Sequence, residues 1–118
     1  MANDVMIERL IIAEGEVIFK QGSNGRKAYI VQKGAIDIIH TLPDGTQKHL
    51  ANVGTGAIFG EMALLDDKPR MATARASESS TVIVVTEQMF QHKLDKADPF
   101  IRGLMHILTD TIRDMSSK

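Results

Sequence analysis

The sequence predicts a mainly β domain of the α+β class, in which strands come first and helices follow at the C-terminal end. Glycines divide the first two thirds of the chain at intervals of about one strand and one turn, a spacing typical of sandwiches and barrels. The residues between the glycines are rich in β-branched side chains, which favour strands. After Thr86 the apolar residues recur at three- and four-residue intervals, which predicts helices.

Seven β-rich runs define the expected strands. In chain order they are residues 7–12, 17–19, 28–31, 35–40, 48–53, 71–76 and 81–86. The sequence Pro43-Asp44-Gly45 before the fifth run predicts a hairpin turn, because proline presets φ and glycine tolerates a positive φ. Residues 82–85, Val-Ile-Val-Val, show no polar alternation, so we expect the last strand to be covered on both faces.

Two helices are expected after the strands. Thr86 is a suitable cap for a helix that starts at Glu87, and Asp98 followed by Pro99 marks a second helix that runs to about Met115. The second helix carries an apolar stripe of six residues, namely Ile101, Leu104, Met105, Leu108, Ile112 and Met115. The stripe is expected either to pack on the strands or to pair with a partner chain, and we favour the strands.

Length and composition limit the classes of protein. A chain of 118 residues predicts one domain, residues 1–118, with a barrel over about 7–86 and helices over about 87–115. The absence of cysteine excludes disulfides, thiolate metal sites and cysteine nucleophiles. A net charge of −1, with Lys and Arg dispersed, argues against a nucleic-acid-binding face. No apolar run approaches the roughly 20 residues of a membrane span, and residues 1–4 do not resemble a signal peptide. We therefore expect a cytoplasmic protein without membrane contact.

The segment from residue 58 to residue 73 carries the strongest chemical signal. Good helix formers follow Gly60, but Pro69 limits that helix to about one or two turns. Such a short helix start exposes the backbone N–H groups of Met62 and Ala63, which together with the helix dipole form an anion site. Arg70 follows the proline, so its guanidinium is positioned to donate a pair of hydrogen bonds to phosphate oxygens.

Glu61 would repel a second negative charge in this anion site. A carboxylate accepts hydrogen bonds, so Glu61 fits a ligand that carries a hydroxyl beside its phosphate. One phosphate next to one hydroxyl describes a ribose cyclic monophosphate. If Arg70 instead lies in a solvated turn and Glu61 only complements a helix start, the segment has a structural role.

Residues 59–65, Phe-Gly-Glu-Met-Ala-Leu-Leu, are followed after four residues by Arg-Met-Ala-Thr at 70–73. This pattern resembles the phosphate-binding cassette of the cyclic-nucleotide-binding domains. That family is found in catabolite activator protein, protein kinase A regulatory subunits and nucleotide-gated channels. The resemblance extends over about residues 8–115. It implies an eight-stranded jelly-roll-like β-barrel with the C-terminal helices as a lid.

The resemblance also implies roles for single residues. Glu61 is expected to accept a hydrogen bond from the ribose 2′-hydroxyl, and Arg70 to pair with the cyclic phosphate. The other implied ligand-binding residues, which contribute backbone amides, close approach or contact with the nucleotide, are Gly60, Met62, Ala63, Met71, Ala72 and Val53. Near Ile112 and Arg113, the lid is expected to close over the base.

The same resemblance indicates the ligand and the mode of action. Family members that prefer the guanine nucleotide often carry a hydroxyl residue where this sequence has Met71, so we expect cAMP rather than cGMP. The expected protein is a stand-alone regulatory sensor and not an enzyme. It signals to an unknown protein effector when its C-terminal helices close over the ligand. A homodimer through the C-terminal helix is a further option. The alternative is a non-sensing interaction or scaffold protein with a structural cassette.

No cofactor or metal site is expected. Asp66 and Asp67 are interpreted as solvated turn carboxylates rather than as a metal pair. His40 and His49 lie on either side of the predicted hairpin turn. Neither the spacing of the histidines nor a nearby carboxylate completes a metal-ligand set.

Overall fold

Two four-stranded antiparallel sheets form the body of the protein, for which a computed structural model describes residues 7–66 and 68–116. One sheet contains, in spatial order, β1 (Arg9–Ile12), β8 (Ser80–Thr86), β3 (Lys27–Lys33) and β6 (Ile58–Phe59). The other contains, in spatial order, β2 (Val17–Phe19), β7 (Thr73–Ala76), β4 (Ile36–Thr41) and β5 (Gln47–Val53). These eight strands in two sheets make a jelly roll, so the predicted fold class is confirmed.

All seven predicted strands are found in the structure. The first and the sixth start later than expected, at Arg9 and Thr73. The additional strand, β6, is only 2 residues long. A strand of that length is too short to produce a recognisable periodicity, which explains why the sequence pattern does not predict it.

The hydrophobic core lies between the two sheets. One sheet contributes Val31, Val82 and Val84, and the other contributes Ile36 and Ala74, all of them fully or almost fully buried. Because side chains alternate between the faces of a strand, each of these strands also presents residues to the outer surface.

The described residues form three helices, α1 (Met62–Leu65), α2 (Glu87–Asp95) and α3 (Pro99–Ser116). Both predicted helix caps are confirmed. The Met89 N–H donates to Thr86 Oγ1 over 3.2 Å, and the Phe100 N–H donates to Asp98 Oδ1 over 2.8 Å. None of the described helices is both long and apolar enough to cross a bilayer.

The coverage of β8 differs from the prediction. Its inward residues Val82 and Val84 are 0% and 2% exposed, whereas Ile83 and Val85 on the other face are only partly covered. The expectation that β8 is covered on both faces therefore holds fully for the inner face and only in part for the outer face. The reason is that the outer face of this sheet is covered in part only, with α1 against β3 and α2 against β8.

Helix α3 turns its apolar stripe to solvent. Of the stripe residues, only Met105 is half-buried, whereas Leu108 is 51% exposed and Met115 is 70% exposed. The remaining exposed members are Ile101, Leu104 and Ile112. The prediction that this stripe packs on the strands is therefore wrong.

The inner face of α3 is largely polar. It consists of Arg102, Met105, Thr109 and Arg113, which are the buried or half-buried residues of the helix. Thr109 is buried, and its hydroxyl donates to the Met105 carbonyl over 2.8 Å, so the desolvation of that hydroxyl is compensated. Arg113 is satisfied by ionic contacts described below. Thr109 and Arg113 thus have hydrogen-bond partners on this inward face, whereas the buried Nε of Arg102 has none among the described residues.

Candidate functional site

A cavity of about 220 Å³ opens between β5, the β6–α1 segment and residues 70–72. All eight residues predicted to bind ligand line it, namely Val53, Gly60, Glu61, Met62, Ala63, Arg70, Met71 and Ala72. The strands add Phe19, Ile38, Leu50, Ala51, Ile58 and Phe59, and α3 adds Arg113. The structure therefore brings the predicted residues together at one concave site.

Arg70 is a buried charged side chain of this cavity. The whole residue is 7% exposed, and its guanidinium lies over the Phe19 ring, with Cζ 4.0 Å from the ring centroid. Nη1 donates to the Gly60 carbonyl over 3.0 Å, and Nη2 donates to the Lys27 carbonyl over 2.8 Å. These contacts fix the orientation of the guanidinium.

The charge of Arg70 is not neutralised by a carboxylate within the described part of the chain, and its buried Nε has no hydrogen-bond partner there. Burial lowers the pKa of Arg70, the nearby Tyr29 acts in the opposite direction, and the positive charge of Arg113 lowers it further. An arginine nevertheless stays protonated in proteins, so this is a buried cation. Burying a cation beside neutral partners only is costly.

Glycine at position 60 is required by the geometry around Arg70. Gly60 has a φ of +75°, a left-handed conformation that other residues rarely adopt. A Cβ at this position would lie 2.9 Å from Arg70 Nη1 and 3.0 Å from Phe19 Cε2. The contacts with Arg70 and Phe19 thus require a glycine here, and the close approach of a ligand at Gly60 stays a prediction.

Three aromatic rings lie together on the inner side of this cavity. Phe19 is 6.1 Å from Tyr29 and 6.1 Å from Phe59, and Tyr29 is 5.4 Å from Phe59, measured between ring centroids. Burial raises the pKa of the Tyr29 hydroxyl, and the charge of Arg70 opposes that effect. The three rings form a rigid apolar surface of low dielectric constant beside the Arg70 guanidinium.

The predicted cradle of backbone amides is partly available. Within residues 7–66 and 68–116, the Met62 and Met71 N–H groups have no hydrogen-bond acceptor. The Ala63 N–H, which was expected to be free, donates to the Gly60 carbonyl over 3.3 Å. This long bond closes the tight turn that begins α1, and a bond of this length is weak.

The rest of the cavity combines one acid with an apolar wall. Glu61 is exposed and stands immediately before α1, without a side-chain hydrogen bond to the helix start. Glu61 therefore does not cap the helix by a hydrogen bond, although its position still allows its charge to complement the helix start. The wall is apolar at Ile38, Leu50, Val53 and Ile58, which come from three different strands.

Arg113 contributes a contact that the sequence pattern did not predict. Its Nε and Nη2 donate to the two carboxylate oxygens of Asp66 over 2.7 Å and 3.0 Å, and its Nη1 donates to the Pro69 carbonyl over 2.7 Å. The side chain of Asp66 is only 14% exposed, so the prediction that it is solvated is wrong. Asp67 lies outside the described residues. Ile112, the other residue expected near the base, is 46% exposed and does not line the cavity.

The histidines have other partners. His40 Nδ1 lies 2.7 Å from the Met71 carbonyl, and His49 Nε2 lies 2.7 Å from Asp37 Oδ1. Asn52 donates to the same Asp37 oxygen, and the bonds from Asn52 and His49 hold the pKa of that carboxyl below its usual value. In the part of the chain that the structure describes, no group of three or more His, Asp or Glu side chains is placed to hold a metal ion.

The fold and the cavity together define a class of protein: a jelly-roll module with one concave site that combines a buried arginine with an apolar wall. The comparison with known families agrees. Residues 9–97 match the model of the cyclic nucleotide-binding domain. Because this match covers most of the chain, the protein belongs to the cyclic nucleotide-binding domain family, which is a regulatory and not a catalytic family.

Known relatives that contain a region similar to this chain are much longer proteins. The chain is 37% identical over 87 residues, 74% of its length, to an uncharacterized ABC transporter ATP-binding protein of Mycobacterium tuberculosis, and spans 26% of that protein. It is 40% identical over 70 residues, 59% of its length, to the cAMP-dependent protein kinase regulatory subunit of Blastocladiella emersonii, and spans 17% of that protein. The chain thus covers about a quarter or less of these relatives.

A solved structure extends the similarity into the C-terminal helices. The EAL enzyme Bd1971 in its cAMP-bound form matches 90% of this chain with a TM-score of 0.84 and 36% identity, and this chain covers 28% of that enzyme. The cGMP-bound form of the same enzyme matches 93% of this chain with a TM-score of 0.84 and 35% identity, with 30% of that chain covered.

Proposed function

We propose that this protein is a regulatory module that binds a cyclic nucleotide, with cAMP preferred over cGMP. The observation that carries the proposal is the buried Arg70 guanidinium at the cavity wall, which contacts two neutral carbonyls and an aromatic ring. Its charge is desolvated without a carboxylate partner among the described residues. An anion bound in the cavity would supply the missing counter-charge and the missing hydrogen-bond acceptors.

The groups beside Arg70 narrow the class of anion. Glu61 lines the same cavity and disfavours a doubly charged phosphate, whereas a cyclic phosphodiester carries one negative charge. The Met62 and Met71 N–H groups add donors for its oxygens. In this proposal Glu61 accepts a hydrogen bond from the ribose 2′-hydroxyl, which is the hydroxyl that a 3′,5′-cyclic nucleotide leaves free.

The apolar wall supports adenine over guanine. A base that packs on Leu50, Val53 and Ile58 is taken out of water and finds no hydrogen-bonding side chain in that wall. Guanine carries one more polar group than adenine, so its desolvation costs more. Met71 adds no hydrogen-bond donor and only a weak acceptor. Both cAMP and cGMP are bound forms of the structural neighbour, so the preference is a matter of degree.

We further propose that α3 transmits occupancy of the cavity to a second copy of the chain. The exposed residues Ile101, Leu104, Leu108 and Met115 repeat at the three- and four-residue spacing of a helical pairing seam. An apolar stripe of this length is costly in water. A twofold pair of α3 helices would bury the same stripe of both copies, because such a surface is self-complementary. Closure of α3 over the ligand would then alter the geometry of the dimer, and this change would be transmitted to a protein effector.

A nucleotide panel tests the binding proposal. Thermal unfolding and calorimetry are measured with cAMP, cGMP and 5′-AMP. A ligand that binds only the native state stabilises it by about 2.7 kcal/mol at one hundred times its Kd. We expect the largest rise in midpoint with cAMP, a smaller one with cGMP and none with 5′-AMP, which carries a second charge. No shift with any nucleotide at millimolar concentration would favour the scaffold alternative, and equal shifts with all three would contradict recognition of the cyclic ester.

A further inference from the structure

The Asp66–Arg113 ion pair joins α3 to the segment between the two proposed ligand-binding elements. Asp66 ends α1, where its backbone N–H donates to the Met62 carbonyl over 3.2 Å and its Oδ1 accepts from the Lys68 N–H over 3.2 Å. The Arg113 guanidinium donates hydrogen bonds to the Asp66 carboxylate and to the Pro69 carbonyl. One side chain of α3 therefore holds the chain on both sides of residues 67–68, next to Arg70.

The geometry of this pair is that of a strong contact. Two N–H···O bonds of 2.7 Å and 3.0 Å connect the guanidinium with both oxygens of the carboxylate. The two side chains are 11% and 14% exposed, so water and salt screen them poorly. Removing one partner of such a pair leaves an unpaired, desolvated charge, which is strongly unfavourable.

A second ion pair between the same two elements provides a contrast. Lys68 Nζ lies 3.8 Å from Asp110 Oδ1, and both side chains are more than half exposed, at 57% and 69%. Exposed pairs of this kind contribute little to stability. Of these two ion pairs, only Asp66–Arg113 is shielded from water, and the apolar stripe of the helix faces solvent.

Arg113 also lines the proposed nucleotide cavity together with Arg70 and Met71. We propose that the Asp66–Arg113 pair is a latch that couples the position of the C-terminal turns of α3 to occupancy of that cavity. The latch keeps Asp66, Pro69 and the α3 wall in the arrangement that binds ligand. Because coupling is reciprocal, bound nucleotide holds the latch closed, and an open latch weakens nucleotide binding. This inference rests on the proposed nucleotide-binding function.

Asp66→Asn and Arg113→Gln test the latch, with Asp110→Asn as the matched control on the same helix. Amide hydrogen exchange of residues 109–116 is measured first without nucleotide. We expect exchange on the order of tenfold faster or more in both latch variants, because a buried pair is broken, and unchanged exchange in Asp110→Asn. Exchange that stays at the wild-type rate in both latch variants would overturn the proposal.

Calorimetry with cAMP then measures the coupling. Both latch variants should bind cAMP at least about tenfold more weakly, and the double variant should bind as weakly as either single variant, since each removes the same contact. If Arg113 instead contacts the ligand directly, Arg113→Gln would weaken binding while Asp66→Asn, which frees the guanidinium, would strengthen it. That opposite pattern would contradict the latch. If the wild type binds no cyclic nucleotide, the proposed function fails by itself, and the exchange rates still show whether the pair holds α3.

Discussion

Replacing Arg70 with lysine changes the hydrogen-bonding geometry of the proposed phosphate site while it keeps the positive charge. Arginine has five N–H donors. Two of them are used by the Gly60 and Lys27 carbonyls, so three remain, and a phosphodiester can accept a pair of these. A lysine ammonium has three N–H donors in all. If two of them satisfy the same two carbonyls, only one remains for the ligand.

The expected loss is therefore one charge-assisted hydrogen bond to the phosphate. Such a bond contributes about 1.5–3 kcal/mol. Since about 1.4 kcal/mol corresponds to a tenfold change in Kd, Arg70→Lys should weaken cAMP binding about 10- to 150-fold. The loss of the flat stacking of the guanidinium on Phe19 acts in the same direction.

Calorimetry with cAMP on wild type and Arg70→Lys measures this difference, and thermal unfolding without nucleotide shows whether the variant is folded. Arg75→Lys is the matched control, because Arg75 lies on the exposed face of β7 and does not line the cavity. It should bind cAMP as the wild type does. A folded Arg70→Lys protein with an affinity within about twofold of wild type would refute the assignment of Arg70 to the phosphate.

Two further substitutions test the surroundings of the site and the exposed helix. Gly25→Ala should weaken cAMP binding about tenfold or more with a smaller effect on stability, because the new Cβ would lie 2.8 Å from Arg70 Nε and 2.9 Å from Arg70 Cζ. Gly54→Ala is the control, since its added Cβ meets no atom within 4 Å, and it should leave cAMP binding in calorimetry unchanged. Leu108→Glu should convert a dimer into a monomer in light scattering, while His106→Glu, outside the apolar stripe, should not. A wild-type protein that is monomeric at tens of micromolar concentration would contradict the proposed α3 pairing.

The strand pattern, the helix starts and the cassette were readable from the sequence, because each is encoded within a few neighbouring residues. Thr86 and Asp98 cap their helices through N–H groups two or three residues away. The cassette was recognisable because its ligand-binding residues lie within one short segment. Its members also lie around one cavity, although their contribution to nucleotide binding stays a prediction.

The face on which α3 packs could not be predicted from the sequence. An apolar stripe indicates that a helix has a partner, but the same spacing fits the protein's own core and a second chain. On the inner face, Thr109 is bonded to its own helix and Arg113 is bonded to Asp66, whereas the buried Nε of Arg102 has no partner among the described residues. Those compensating contacts exist only once the chain has folded.

The sequence by itself determined the order of the helices and of all strands except β6, and the position of the predicted anion-binding segment, since local propensity and short spacings specify them. Only the tertiary structure decided what surrounds Arg70 and what holds Arg113. Arg70 meets the Lys27 carbonyl across 43 residues of chain, and Arg113 meets Asp66 across 47. Contacts over such separations arise from the packing of whole helices and strands, and no periodicity along the chain predicts them.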